Sequence, residues 1–317
     1  DNLFRGVHRS LVIDRSGGLR FGRSFGQDEI LVKHIANHAG GIPCMYDDLV
    51  YVITPRRAHT STALLLMAAF GDVFLESQFE NGGEGMLYKY ELIYYPTTTV
   101  DGNPESLKLP QPDQVIGHDI ADLGDDKERY RWWFLIENNR DRDDFTRLME
   151  FCKKFAAPIS ELEKAAQEVM DVDEWMRTFA LYALCGISDT YTYGNDHNNM
   201  HYVRPRDNKV VVFPWDMDFA FVRNVNSPLW GDRNLSRIIS RPAFTRMYYR
   251  HLLDIIDTTF NLQYMNYWIN HYGSLVNQDF RSIGTYISQR AAYVLSRIPR
   301  SISFSIRTNG GEDFSVD

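Results

Sequence analysis

The apolar positions change period once along the chain. Val7 to Ile13 and Leu49 to Ile53 carry β-branched and aromatic residues bounded by Gly, Asp or Pro, which predicts short strands. Between them Ile30, Leu31, His34, Ile35 and His38 recur near one face, predicting a helix over Asp28–Ala39. Gly40-Gly41 and Pro43 stop it. Leu64–Ala69, Val73–Glu76 and Met86–Ile93 predict further strands, the last two parted by a turn at Asn81-Gly82-Gly83. Pro96 to Asp126 has no periodicity and predicts a long loop. From Arg140 onward the spacing is helical. Asp143–Phe155, Ser160–Val169 and Val172–Leu184 are amphipathic, the last opened by a capped acidic turn over Asp171 to Glu174. Val210–Phe213 reads as a short buried strand, and Pro242–Thr258, Leu262–His271 and Ser274–Ile298 as helices.

This order predicts an α+β chain of two lobes. Residues 1–139 would form a small β-rich lobe with one helix and a loop insertion. Residues 140–300 would form a larger helical lobe carrying a β-hairpin, and a ligand would suit the cleft between the two. In 301–317 an alternating run turns at Asn309-Gly310-Gly311 and alternates again, as at the start of a following β-domain or in a linker. Neighbouring domains of a longer chain are therefore expected.

With 44% hydrophobic and 14% aromatic residues among 317, the chain can bury a large core, which excludes a mainly disordered chain. The formal charge is −8 and no basic block stands out, so a duplex nucleic-acid binder is not expected. The longest apolar run, Ala63–Phe70, is far short of the ~20 residues of a membrane span. Cys44, Cys152 and Cys185 form no CxxC pattern and are expected to be buried apolar residues. Walker-A, GxSxG and HExxH patterns are absent. Gly17-Gly18 and Gly22 read as a plain turn, and His34 with His38 as a half-buried helix face. Ser10, Ser24 and Ser61 lack the His–acid company of a nucleophile.

The chemistry concentrates between Cys185 and Phe221. A loop holding Asp189, Asp196, His197, Asn198 and Asn199 leads into a hairpin, Met200–Val203 and Lys209–Phe213, turning at Arg206-Asp207-Asn208. The hairpin empties into Pro214-Trp215-Asp216-Met217-Asp218. Loop carboxylate, Asn, hairpin, second carboxylate is the order protein kinases use to orient a hydroxyl and hold magnesium. Magnesium takes a few hard oxygen ligands and leaves room for phosphate oxygens. Asp216 and Asp218 are two apart, so on a strand they would share one face. Following a buried strand and preceding Phe219-Ala220-Phe221, two such charges are costly without a cation. Asp207 and Asp232 read as turn formers. Trp132-Trp133 and the tyrosines Tyr182, Tyr191 and Tyr193 read as core or as walls of an adenine site.

Asp189 to Phe221 resembles the core of the CotH (spore-coat protein H) kinase family: an Asp-x-Tyr-like loop, a His-Asn, a hairpin and Pro-Trp-Asp-hydrophobic-Asp. Outside it, Gln27–Pro43 is similar to the family's early helix, Phe74–Lys89 to its acidic segment and Leu-Tyr-Lys strand, and Arg241–Ile255 to its Pro-x-Phe helix. Together these segments cover most of Phe4 to Pro299. The resemblance implies an atypical protein-kinase-like fold without the usual glycine-rich loop. It implies ATP with Mg²⁺ or Mn²⁺ as cofactors, Ser or Thr of proteins as substrates, and a secreted or cell-surface setting. Carried over by position, Asp189 would be the catalytic carboxylate, with Asn198, Asp216 and Asp218 as metal ligands. His197 would orient the loop or move a proton. Asp196 competes for the role of Asp189, because the loop is longer than the family's short form. Arg9 stands where a phosphate-pairing Lys is expected; Lys89, Lys33 and Arg5 are the other cations, with Glu76 as an acidic partner. Two alternatives stay open: a non-catalytic surface adhesion or scaffold module, and transfer of AMP in place of phosphate.

Overall fold

The protein is described here by a computed structural model covering residues 11–14, 28–45, 47–53, 61–95, 99–101, 103, 105–107, 114–193, 196–231 and 233–299, with positions 3, 6, 55 and 301. Among the described residues it is an α+β chain with three sheets, all antiparallel. The first joins β1 (Leu11–Asp14), β3 (Ser61–Ala68) and β2 (Asp47–Val52) in the order β1-β3-β2. Helix α1 (Glu29–Ala39) lies between β1 and β2 in the chain, and α2 (Asp72–Gln78) follows β3.

The sheet that positions the site has four strands in the order β7-β4-β8-β9. They are β4 (Met86–Tyr90), β7 (Phe134–Ile136), β8 (Asn199–Val203) and β9 (Val210–Pro214). Strands β4 and β7 come before residue 139 and β8 and β9 after it, so the sheet draws on both halves of the chain. A pair, β5 (Ile93–Tyr95) and β6 (Gln114–Ile116), stands apart.

Strands β8 and β9 are buried on both faces; β9 accordingly reads as a near-continuous apolar run, whereas β8 buries Asn199 and His201 among its apolar residues. On one face Phe213 and Tyr202 meet Phe70, Phe74 and Phe79. On the other, His201 sits among Tyr90, Phe134, Phe151 and Trp175. Helices α3 (Thr146–Phe155) and α5 (Val172–Cys185) cover that second face, and α4 (Leu162–Val169) packs against α3. Further helices are α6 (Arg233–Ile239), α7 (Pro242–Thr258), α8 (Leu262–Val276) and α9 (Arg281–Arg297). Asp171 caps α5 by accepting the Glu174 amide, as its acidic first turn predicts. Gly186 ends α5 at φ +58°, where a Cβ would overlap the Tyr286 hydroxyl.

Four predicted elements need correction, one of them the loop expected over Pro96–Asp126, which contains β6 because its three residues pair with β5. Val73–Glu76 belongs to helix α2, since Phe74 and Leu75 are adjacent and both buried, whereas strand neighbours face opposite ways. The strand predicted over Met86–Ile93 breaks after Tyr90, and β5 pairs elsewhere. The last two helices part at Asn277, not at Gly273. Gly273 stays helical, and Asn277 at φ +52° sends its amide back to the Gly273 and Ser274 carbonyls. The tail after residue 301, most of Val7–Ile13 and the glycines at 17, 18 and 22 lie outside the described residues.

Candidate functional site

Register brings three chain segments to one end of the central sheet. Tyr90 is opposite Asn199, and Asn199 is opposite Pro214. Glu91, Asn198 and Trp215 are therefore the next residues out at the same edge. A second set of bonds joins the loop after α5 to the turn after β9. The Ser188 amide donates to the Phe219 carbonyl (3.2 Å), Phe221 to Cys185 (2.6 Å) and Arg223 to Gly186 (3.3 Å). Asp189 thus leaves a segment laced to the residues that follow Asp218.

Asp189 is half-buried, its side chain 30% exposed, with His197 Nε2 3.5 Å from its Oδ2. Burial raises its pKa; the His197 charge opposes that and Glu91 adds to it. The Asn198 side-chain amide donates to the Asp189 main-chain carbonyl at 3.0 Å, tying the two ends of the loop together. Asn198 holds a left-handed backbone, φ +57°, and so does Asp216, φ +53°. Such residues cost on the order of 1 kcal/mol each and persist where the surroundings fix them. Asn199 is held from both sides, accepting from Tyr182 and donating to the His197 carbonyl. Asp196 is fully buried. Of the two loop aspartates, Asp189 is the one with solvent access.

The expectation that Asp216 and Asp218 share a strand face does not hold. Strand β9 ends at Pro214, and the left-handed Asp216 turns the chain away from the sheet. The turn is pinned from a distance: Glu29 Oε1 accepts the buried Met217 amide at 3.1 Å. Lys33 lies 3.4 Å from Glu29 and 2.9 Å from Asp47. Burial alone would lower the Lys33 pKa, but the charges of Asp47 and Glu29 more than offset it and the pKa is raised. At 1% exposure Lys33 is a buried strut, out of reach of a phosphate. Sequence reasoning missed Glu29; its only signal was acidity in the first turn of an amphipathic helix.

Lys89 is at the site's end of β4. Its Nζ is 2.6 Å from Glu91 and 5.6 Å from the Trp215 ring centroid. Glu137 lies close enough for Lys89 to lower its pKa, which burial on balance raises. Glu76 stands elsewhere: exposed on α2, it accepts the Gly83 amide at 2.8 Å, beside the start of β4. The structure therefore brings Asp189, His197, Asn198, Asp216, Asp218 and Lys89 to one end of the sheet and leaves Glu76 out. Arg9 and Arg5 lie outside the described residues. His34 and His38 stack at 4.0 Å, and both His34 ring nitrogens meet hydroxyls, of Tyr264 (3.0 Å) and Tyr272 (3.2 Å).

Among the described residues no three His, Cys, Asp or Glu side chains gather into a metal cluster. A magnesium ion bound as in kinases needs only one or two carboxylates, with water and phosphate supplying the rest. Asp216 and Asp218, in the turn after β9, and the Asn198 side-chain oxygen, in the loop before β8, are hard oxygen donors of the type such an ion takes.

Compared with known families, the chain matches CotH, described as CotH kinase protein, over residues 65–292. A search of curated proteins returns no match. The matched span holds the four-stranded sheet, the loop and the turn, and the chain belongs to the CotH kinase protein family.

Proposed function

We propose that this member of the CotH kinase protein family is a metal-dependent protein kinase, transferring phosphate from ATP to Ser or Thr hydroxyls of secreted or cell-surface proteins. The observation that carries it is the register of β4, β8 and β9, which draws Lys89, Asn198 and the Asp216 turn to the edge that Asp189 also borders. On this reading the architecture is kinase-like, but the sheet β7-β4-β8-β9 takes strands from both sides of residue 139, so the β-rich lobe expected over 1–139 also includes the hairpin β8-β9 from the 140–300 half. ATP lies between the β-rich and helical parts.

Asp189 orients the attacking hydroxyl and accepts its proton as the oxygen bonds to the γ-phosphorus and ADP leaves. Burial makes that carboxylate more basic, and His197 holds it in place. Lys89, kept upright by Glu91 and Trp215, meets phosphate oxygens; Arg9 is the second candidate for that role. Asn198, Asp216 and Asp218 would hold Mg²⁺ or Mn²⁺, which when bound neutralises phosphate charge. Positioning and charge neutralisation supply most of the catalysis in phosphoryl transfer.

Calorimetry with ATP, with and without each metal, tests this. Metal-dependent binding should vanish in Asp216→Ala, while Asp189→Ala should bind normally and lose transfer by at least about a hundredfold. Binding and turnover unchanged in both variants would refute the site. No binding by the unaltered chain would favour the scaffold reading. A substrate mass increase of AMP instead of phosphate would favour nucleotide transfer.

A further inference from the structure

Just beyond the Asp216 turn, Arg223 lies with its guanidinium carbon 4.0 Å from the centroid of the Tyr193 ring. Tyr193 belongs to the loop that begins at Asp189, and its side of the ring stack is half-exposed. Among the described residues Arg223 makes no ion pair and no side-chain hydrogen bond, and its Nε is buried without a partner. An unpaired guanidinium beside a loop rich in carboxylates is unusual, because exposed arginines are ordinarily hydrated and buried ones paired.

The surroundings explain why it stays unpaired. Its pKa is lowered, first by burial and then by the Arg290 guanidinium; Tyr193, Tyr286 and Tyr248 oppose this, and no carboxylate stands among these groups. Arg290 is fully buried and donates to three main-chain carbonyls, of Ala183, Val225 and Ser227, with its Nη2 unpartnered. Arg290 thereby fastens the segment carrying Arg223 to the end of α5. The result is two neighbouring cations, one rigidly held by backbone and one stacked on an aromatic ring, with no anion between them among the described residues.

We propose that Arg223, stacked on Tyr193, is the subsite for an anionic side chain of the acceptor peptide, a carboxylate or a phosphate close in sequence to the receiving Ser or Thr. The planar fork of Arg matches either group in a bidentate pair, and stacking fixes the fork before the ligand arrives. The Arg223 amide bonds to Gly186, three residues before Asp189, so the subsite borders the residues that would carry out transfer. The choice of a peptide rests on the kinase reading above. Recognition of the anion does not need transfer to occur.

The test is equilibrium binding of fluorescent Ser-containing peptides that differ only in Glu, phosphoserine or Gln beside the acceptor, followed by transfer assays on the same set. The Glu or phosphoserine peptide should bind at least about tenfold more tightly than the Gln peptide. Arg223→Gln should erase that difference while leaving Gln-peptide binding and ATP binding unchanged, and Arg223→Lys should restore part of it. No preference in the unaltered chain, or a preference kept by a folded Arg223→Gln, overturns the inference. Competition by inorganic phosphate without any peptide preference overturns it too. A preference that depends on Arg223 with no transfer to any peptide upholds the subsite and sinks the kinase reading, so the two failures are distinct. The Glu and phosphoserine arms separate the two sources of charge.

Discussion

Glu29 reaches from the first turn of α1 to a backbone amide in the Asp216 turn and shares Lys33 with Asp47, so one carboxylate serves two buried partners. Removing one member of a buried charge network costs on the order of 3 kcal/mol, because the others stay buried. Glu29→Ala should lower the melting temperature and weaken metal–ATP binding about tenfold, as calorimetry would read. Glu29→Gln keeps the acceptor for Met217 and should retain most of that affinity while remaining less stable. Glu174 predicts the opposite response to losing a charge. Burial lifts its carboxyl to about 8, although the Val212 amide and the Thr178 hydroxyl both donate to it. A carboxyl whose folded pKa is raised binds its proton more tightly in the native state. Its contribution is complete below the unfolded value of 4.5 and is lost as pH climbs to about 8. Glu174→Gln mimics the protonated form. It should remove a stability change on the order of 5 kcal/mol between those limits, measured by denaturant titration at several pH values.

At the scale of elements, contact between α1 and α8 supplies a titration of the other sign. His34 is pushed down to about 4, first by burial and then by the charges of His38 and His271. A histidine depressed this way contributes fully above 6.5, and its contribution disappears as pH falls through the interval to about 4. His201, buried under Trp175 and lowered to about 3, extends the same trend. Melting temperature should fall on acidification from pH 7 to 4.5, and His34→Gln should flatten that fall. The sequence made α1, α5, α7, β8 and β9 legible because their apolar residues keep one period and their ends carry Gly, Pro or a capping Asp. It hid α2, where two adjacent buried residues fit either period. It hid β7, whose three residues are too few to show alternation. Within the site, Asp189, His197, Asn198 and the Asp216 turn were readable as a local string. Glu29, Glu91 and Arg223 were not, since each enters through a contact between distant segments that spacing cannot reveal.

For the whole molecule, the three thiols report integrity. Cys44, Cys152 and Cys185 are free and buried, and burial raises the pKa of each, that of Cys44 to about 12. A thiolate-selective reagent should therefore modify them only when the chain opens, with labelling following unfolding and slowing at saturating metal–ATP. Fast labelling of any one thiol in native buffer would contradict its burial. The central sheet has a further consequence, in time. Strand β4 is synthesised early, yet its partner β8 arrives only after α3, α4 and α5, and β9 must follow before β8 is enclosed. A nascent chain emerging from the ribosome thus carries β4 with an edge unsatisfied until the long stretch from Glu91 to β8 has been made. Non-local pairing of this kind slows folding and leaves an apolar strand edge open to wrong partners. The segment from Met86 to Tyr90 is where a chaperone would be expected to bind.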